Sequence, residues 1–251
     1  MNDRPFVLSI AGFDPSAGAG ILADIKTLEQ HQVYGLGVCS AITFQNDNYF
    51  ESVSWLDNQT IIHQAKLLFD KYPIAFVKIG LVQSLKDLDE IINTLLSWNS
   101  TIKIVWDPIL KASAGFDFHE DINQILLEKI LKKIYLITPN LPELQLLVVG
   151  GSSVEQKAFG LSKFCNVYLK GGHSDNEICM DILFTGINTV SFTAERIPNG
   201  EKHGSGCVLS SAITANLSKG LSLEETCENA KHYMNQFLKS NPSLLGYHFQ
   251  S

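Results

Sequence analysis

Absences narrow this sequence first. Its 251 residues contain no Cys-x-x-Cys pair, and the five cysteines (Cys39, Cys165, Cys179, Cys207, Cys227) form an odd, scattered set. That spacing speaks against a disulfide framework or a zinc site and for free thiols in a reducing compartment. The seven histidines show no His-x-x-x-His or comparable metal spacing. Positive charge is not in excess: 19 lysines and arginines face 26 acidic residues, a formal charge of −7. With no basic cluster to offset it, that balance argues against a general nucleic-acid surface. No apolar run reaches the roughly 18 residues a membrane span needs, and the short charged N-terminus runs into a strand-like segment without a signal-peptide pattern. The expectation is a soluble cytoplasmic protein with no nucleic-acid or membrane partner. No Gly-x-x-x-x-Gly-Lys-Ser/Thr occurs either, which excludes a P-loop.

What is present is enough apolar material, 45% of the chain, to bury a substantial core. One domain over residues 1–251 is the simplest reading, because no repeat, low-complexity tract or linker divides the chain. Near-continuous apolar runs (Phe6 to Ala11, Ile74 to Ile79, Ile102 to Trp106, Ile134 to Ile137, Val167 to Leu169) read as strands buried on both faces. Val33 to Phe44 reads as a second strand broken by Gly35 and Gly37, and Val53 to Leu56 as a short edge strand. Ile178 to Phe184 and Thr189 to Ala194 flank a turn and predict an antiparallel hairpin. Amphipathic helices intervene, with start signals at Asp57 or Asn58, Ser84-x-x-Asp87, Asn140-x-x-Glu143, Ser153 and Ser222-x-x-Glu225. Lys111 to Phe118 reads as a polar loop. Strand–helix alternation of this kind predicts an α/β fold around a mostly parallel sheet covered on both faces.

Polar residues collect just past the strand ends: Asp14, Gln45, Gly80, Asp107, Asn140 and Lys170. In open parallel sheets ligands bind at that edge. The densest chemistry lies in His203-Gly204-Ser205-Gly206-Cys207, ahead of an apolar helix. Glycines there allow a concave nest of N–H groups, and the helix start adds its own unpaired donors, an arrangement suited to phosphate. A thiol at such a helix start is expected to have a lowered pKa. Gln45 offers a donor and an acceptor for the edge of a heteroaromatic ring. Asp107 could hold a metal or orient a phosphate. Asn140-x-x-Glu143 reads first as a capping box, and a capping carboxylate there could also bind a metal-bound water. Lys170-Gly171-Gly172 suits phosphate. Gly18-x-Gly20-x-x-Ala23 matches a dinucleotide fingerprint only in letters, because Phe13-Asp14-Pro15-Ser16 separates the glycines from the strand.

Taken together, eight segments in order resemble the hydroxymethylpyrimidine/phosphomethylpyrimidine kinases of the ribokinase-like superfamily. They are Ile10–Gly20, Ala23–Thr27, Gln45-Asn46, Lys78-Ile79-Gly80, Asp107-Pro108, Ile137–Glu143, Lys170–His173 and His203–Cys207. The resemblance implies a three-layer α/β/α sandwich, usually dimeric, that phosphorylates a pyrimidine hydroxymethyl group and then the monophosphate with ATP and Mg2+. It implies a catalytic Cys207 in an anion hole of Gly204, Ser205 and Gly206. Gly12, Asp14, Gly20, Asp24, Gln45, Gly80 and Leu81 would bind substrate. Asn140, Lys170, Gly172 and Ser205 would face the nucleotide phosphates, with Asp107 and Glu143 on magnesium through water. A pyridoxal kinase of the same superfamily is the alternative, and a non-catalytic binding protein on this scaffold is a third reading. The sequence departs from the family at Phe13, at Leu81-Val82 and Leu110 where methionine is usual, and at Val208 where threonine is usual.

Overall fold

The computed structural model describes residues 4–110, 122–151, 153–172 and 178–249. The loop expected at Lys111 to Phe118, and His173, lie outside them. In chain order the elements are β1 (Phe6–Phe13), α1 (Gly20–Gln30), β2 (Tyr34–Gln45), β3 (Phe50–Trp55), α2 (Asn58–Phe69), β4 (Phe76–Ile79), α3 (Leu85–Trp98) and β5 (Lys103–Trp106). They continue with α4 (Gln124–Leu131), β6 (Leu136–Ile137), α5 (Leu141–Leu147), α6 (Val154–Ser162), β7 (Asn166–Leu169), β8 (Ile178–Phe184), β9 (Thr189–Glu195), α7 (Ser205–Ser218) and α8 (Leu223–Lys239).

The strands form one sheet in the order β3-β2-β1-β4-β5-β6-β7-β8-β9. From β2 to β7 every pairing is parallel, while β3 and the β8–β9 hairpin add antiparallel edges. The apolar runs are two-sided, as strand pleating requires. Ile104 and Trp106 join one core cluster and Val105 the other; Ile137 and Leu136 divide likewise, as do Val167 and Tyr168. One face is covered by α2 to α6, the other by α1, α7 and α8. This is the three-layer α/β/α sandwich expected from the sequence.

Local helix signals act where they stand. Asp57, Ser84 and Ser153 each accept the backbone N–H three residues on, and Asn140/Glu143 and Ser222/Glu225 close both halves of a capping box. One expectation fails: Gly35 and Gly37 do not break β2, which runs unbroken from Tyr34 to Gln45. Their role is long-range, because α1 lies directly on them. A Cβ at Gly35 would sit 2.8 Å from Ile25 Cδ1, and one at Gly37 2.8 Å from Ile21 Cδ1.

α1 ends at His31, whose ring packs edge-on to Tyr233 of α8 at 4.5 Å between centroids. Burial, and to a lesser degree the Lys219 charge, lowers the His31 pKa to about 4, against the bond its ring makes to the Thr27 carbonyl. The folded chain therefore keeps this ring neutral at a pH where the unfolded chain, near 6.5, has taken a proton. Stability present above pH 6.5 is lost as pH falls toward 4. Chemical denaturation at pH 7 and pH 5 will show the wild type losing about 1–2 kcal/mol more over that interval than His31→Phe. An equal loss in both proteins would remove His31 as the cause.

Candidate active site

The carboxyl edge of the sheet, the loop after β1 and the N-terminus of α7 enclose a cleft of about 700 Å³. One end of it is built from Gly12, Gly20, Thr43, Gln45 and Leu81. Gly20 holds φ at +59°, and a Cβ there would lie 2.2 Å from the Gly12 carbonyl oxygen, so only glycine lets the two backbones touch. Gln45 Nε2 donates to Thr43 Oγ1 at 2.8 Å, and Thr43 Oγ1 donates to the Phe13 carbonyl at 2.8 Å. The amide that terminates β2 is thus held facing the cleft by the residue two positions earlier on the same face.

The middle of the cleft is the first turn of α7. Gly204 caps the helix in the left-handed conformation at φ 74°, with its Cα against Gly18, where a Cβ would lie 2.1 Å from the Gly18 carbonyl oxygen. A left-handed residue followed by helical ones points successive N–H groups to one side and forms the nest anticipated from the sequence. The Ser205 N–H is directed to the Lys202 carbonyl at 3.3 Å, and Val208 makes the first intrahelical bond, to Gly204. The donors aimed into the nest are therefore chiefly those of Gly206 and Cys207.

Beneath that turn lie two buried lysine–carboxylate pairs. Lys78 Nζ contacts both oxygens of Asp24 at 3.0 and 2.9 Å, both side chains being fully buried. Asp24 also accepts from Ser9 and from Ser211 of α7. Lys170 Nζ lies 2.9 Å from Asp107 Oδ1 and 3.4 Å from Glu143 Oε2. Thr138 and Ser210 donate to the two Asp107 oxygens at 3.1 and 3.2 Å. Burial pushes the Asp107 carboxyl upward, but Lys170 and Lys78 more than offset it and hold the group below the ordinary range. Glu143 goes the other way: burial and the Asp107 charge outweigh Lys170 and raise its pKa to about 6. Lys170 and Lys78 are raised, because their paired carboxylates outweigh the burial that opposes charge.

The expected lowering of the Cys207 pKa is not what the structure gives. Burial pushes this thiol up to about 12, with Asp24 and Asp107 adding to the rise, against Lys78 and a hydrogen bond from the Gly20 N–H to the sulfur. A helix start alone favours thiolate; a helix start sunk between two carboxylates does not.

Of the residues anticipated from the sequence, Gly12, Gly20, Gln45 and Leu81 meet at one end of the cleft. Asp107, Glu143, Asn140, Lys170 and Gly172 meet at the other, with Gly204 to Cys207 between them. Three do not line it. Asp24 is sealed below with Lys78. Asp14 is 1% exposed and turned to Ser16, Ala19 and His203. Gly80 closes β4 with its N–H on the Ile10 carbonyl. Of the departures from the family pattern, Leu81 lines the cleft, whereas Leu110 and Val208 are buried in the two core clusters.

Comparison with known proteins agrees with this geometry. Residues 14–250 match the phosphomethylpyrimidine kinase family. The hydroxymethylpyrimidine/phosphomethylpyrimidine kinase of Aquifex aeolicus is 33% identical over 94% of this chain and 95% of its own. The chain belongs to the phosphomethylpyrimidine kinase family. A phosphomethylpyrimidine kinase from Clostridium difficile superposes with a TM-score of 0.77 at 31% identity, over 93% of this chain and 99% of that one. An ADP complex of Bacillus subtilis pyridoxal kinase gives a TM-score of 0.84 at 27% identity, over 99% and 98%.

Several residues that shape this family member's cleft escaped the sequence reading. Thr43 was detectable, since it stands two positions before Gln45 and strand period puts both on one face. Ser210 and Ser211, three and four residues beyond Cys207, share its helix face and tie it to Asp107 and Asp24. Asp181 anchors Gly171 through a 2.7 Å bond from its N–H and also receives Tyr168 and Lys231, contacts no local pattern announces.

A neutral, buried Cys207 makes a chemical prediction. With iodoacetamide at pH 8, peptide mass spectrometry will find Cys207 alkylated about tenfold or more slowly than the half-exposed Cys39 and Cys179. Faster labelling of Cys207 would mean that thiolate is present.

Proposed function

We propose that this chain transfers the γ-phosphoryl group of ATP to the hydroxymethyl group of a 4-aminopyrimidine, and to the monophosphate that results. The observation that carries the reading is a single cleft with a ring-binding amide at one end, lysine and carboxylates at the other, and an N–H nest between them. Phosphoryl transfer asks for positioning and charge neutralisation more than for covalent protein chemistry. Gln45, braced by Thr43, holds the ring edge. Leu81 and Gly12 flank it. The Gly206 and Cys207 N–H groups meet charge developing on the transferred group. Lys170 and Asn140 meet the nucleotide phosphates.

Cys207 orients the substrate hydroxyl through a sulfur lone pair, and it takes the hydroxyl proton only in its thiolate form, which the Lys78 charge and the Gly20 N–H favour. With the thiol raised to about 12, that thiolate is a minor species in the resting site, where the neutral group orients the hydroxyl.

The donor set fits magnesium in one manner. Among the described residues no group of three or more His, Cys, Asp or Glu side chains could hold a metal unaided. Asp107 and Glu143 offer two oxygen donors at the phosphate end, the pattern of an ion that keeps several waters and leans on phosphate oxygens. When bound there, magnesium would neutralise phosphate charge. With its pKa near 6, Glu143 is a full anion only above that pH.

Among the described residues no helix is long and apolar enough to cross a membrane. Phe13, Ile42 and Phe44 leave exposed apolar surface beside the ring-binding end, 38%, 44% and 53% open. That surface supports self-association into a homodimer. Analytical ultracentrifugation will find Phe44→Asp shifted toward monomer; unchanged sedimentation would exclude this face.

The decisive assay measures ADP release with hydroxymethylpyrimidine, its monophosphate and pyridoxal. Preference for pyridoxal would overturn the substrate assignment and leave the fold untouched. Gln45→Ala is expected to raise the pyrimidine Kd at least tenfold with the ATP Kd within threefold. Cys207→Ala is expected to lower kcat about 10²-fold or more while the pyrimidine still binds. Near-wild-type turnover would remove Cys207 from proton handling.

A further inference from the structure

His203 and Asp14 carry titratable groups at the site, yet neither side chain has a part in the chemistry above. They face each other. His203 Nε2 lies 2.9 Å from Asp14 Oδ2, with the two side chains 7% and 1% exposed. Asp14 organises the loop after β1: it accepts the Ser16 N–H at 2.9 Å and the Ala19 N–H at 2.8 Å. That loop ends in Ala19 and Gly20, which wall the ring end of the cleft, and Gly20 reaches the Cys207 sulfur. His203 immediately precedes the nest. One hydrogen bond thus joins the wall that holds the acceptor to the turn that meets the phosphoryl group.

A second strand of contacts backs the first. The His203 N–H donates to the Leu244 carbonyl at 2.9 Å, and Lys202 Nζ to the Asn241 carbonyl at 2.7 Å. Gly18 is squeezed between both partners: a Cβ there would lie 2.6 Å from the His203 ring and 2.7 Å from Leu245. The segment after α8 is itself tied down by the bond between Tyr233 and His248. The imidazole borders the cleft and is wedged between the substrate loop and the C-terminal strap.

We propose that His203 is a positioning residue, a latch that fixes the spacing between the ring-binding loop and the anion nest and so directs the phosphoryl group to the pyrimidine instead of to water. Reacting atoms must sit about 3–3.5 Å apart, and a misplacement of about 1 Å lowers rate on the order of 100-fold. If the latch slackens, the substrate hydroxyl drifts from the γ-phosphorus while the nest still stabilises transfer. Water then attacks the γ-phosphorus: a new P–O bond forms, the bond to the β–γ bridging oxygen breaks, and ADP, inorganic phosphate and a proton are released. This inference rests on the kinase reading, but not on the identity of the acceptor.

The test compares ADP formed with acceptor phosphorylated, in the full-length protein, using whichever acceptor the wild type turns over. In the wild type the ratio is near one. For His203→Ala the expected result is a kcat lower by about tenfold or more, Kd values within threefold, and a ratio above two, with free phosphate making up the excess. His203→Gln, which keeps an N–H donor near the Nε2 position, is expected to return the ratio toward one. Asp14→Asn, a milder change on the other side of the bond, is expected to raise it and serves if His203→Ala fails to fold. A ratio that stays at one in both His203→Ala and Asp14→Asn would overturn the latch. A wild type that phosphorylates none of the three acceptors would instead overturn the kinase reading.

Discussion

Lys170 lies within 3.4 Å of two largely buried carboxylates at the wall of the cleft, and the chemistry of the cleft follows from how those charges neutralise one another. An unpaired ion in that position is disfavoured by several kcal/mol. The protein answers by unequal sharing. Lys170 binds Asp107 more closely than Glu143, so Asp107 stays ionised and Glu143 titrates near pH 6. Incoming phosphate oxygens compete with both carboxylates for the same ammonium group. The cleft is therefore preorganised for anions at Lys170, which lines it, whereas Lys78 is wholly occupied by Asp24.

The same balance explains why the first turn of α7 is so well fixed. Ser210 and Ser211 give it two anchors, one on each buried carboxylate, and the Gly204–Gly18 contact gives it a third. Each anchor comes from a different region of the chain: the residue just past β5, α1 and the loop after β1. A helix that is apolar on nearly every side could slide along its neighbours, and these polar ties set its height above the sheet. The nest depends on that height.

What could be read from the sequence was local or strictly periodic. Capping at Ser84, Asn140 and Ser222 needs only the residue three positions on, and all three formed as anticipated. Two-sided apolar runs identified the parallel strands because pleating leaves no polar face to disguise them. The failures were all long-range. Gly35 looks like a strand breaker until α1 is laid on it. Asp14 and Asp24 look like ligand binders within their motifs, yet their partners are His203 and Lys78, 189 and 54 positions away. Val208 looks like a lost hydroxyl beside the nest, but its side chain points into the core of α1, α7 and α8. The Cys207 pKa was misjudged for the same reason: a helix start is visible in sequence, while burial between two carboxylates is not.

The raised pKa of Cys207 bears on why a thiol occupies the position. A carboxylate at residue 207 would add a further acid to Asp24 and Asp107, with only Lys78 and Lys170 at hand to balance it, beside a nest already built to receive phosphate. Its own pKa would climb, or the site would repel the nucleotide. A thiol is neutral in the resting cleft, so it adds no charge to be compensated. In that neutral form it can orient the substrate hydroxyl through a sulfur lone pair, while only the minor thiolate form can take the proton. Keeping the sulfur neutral also withholds the thiolate through which oxidation proceeds. Burial, with Asp24 and Asp107, keeps the Cys207 sulfur protonated against the pull of Lys78, so the resting cleft carries no charge at that position.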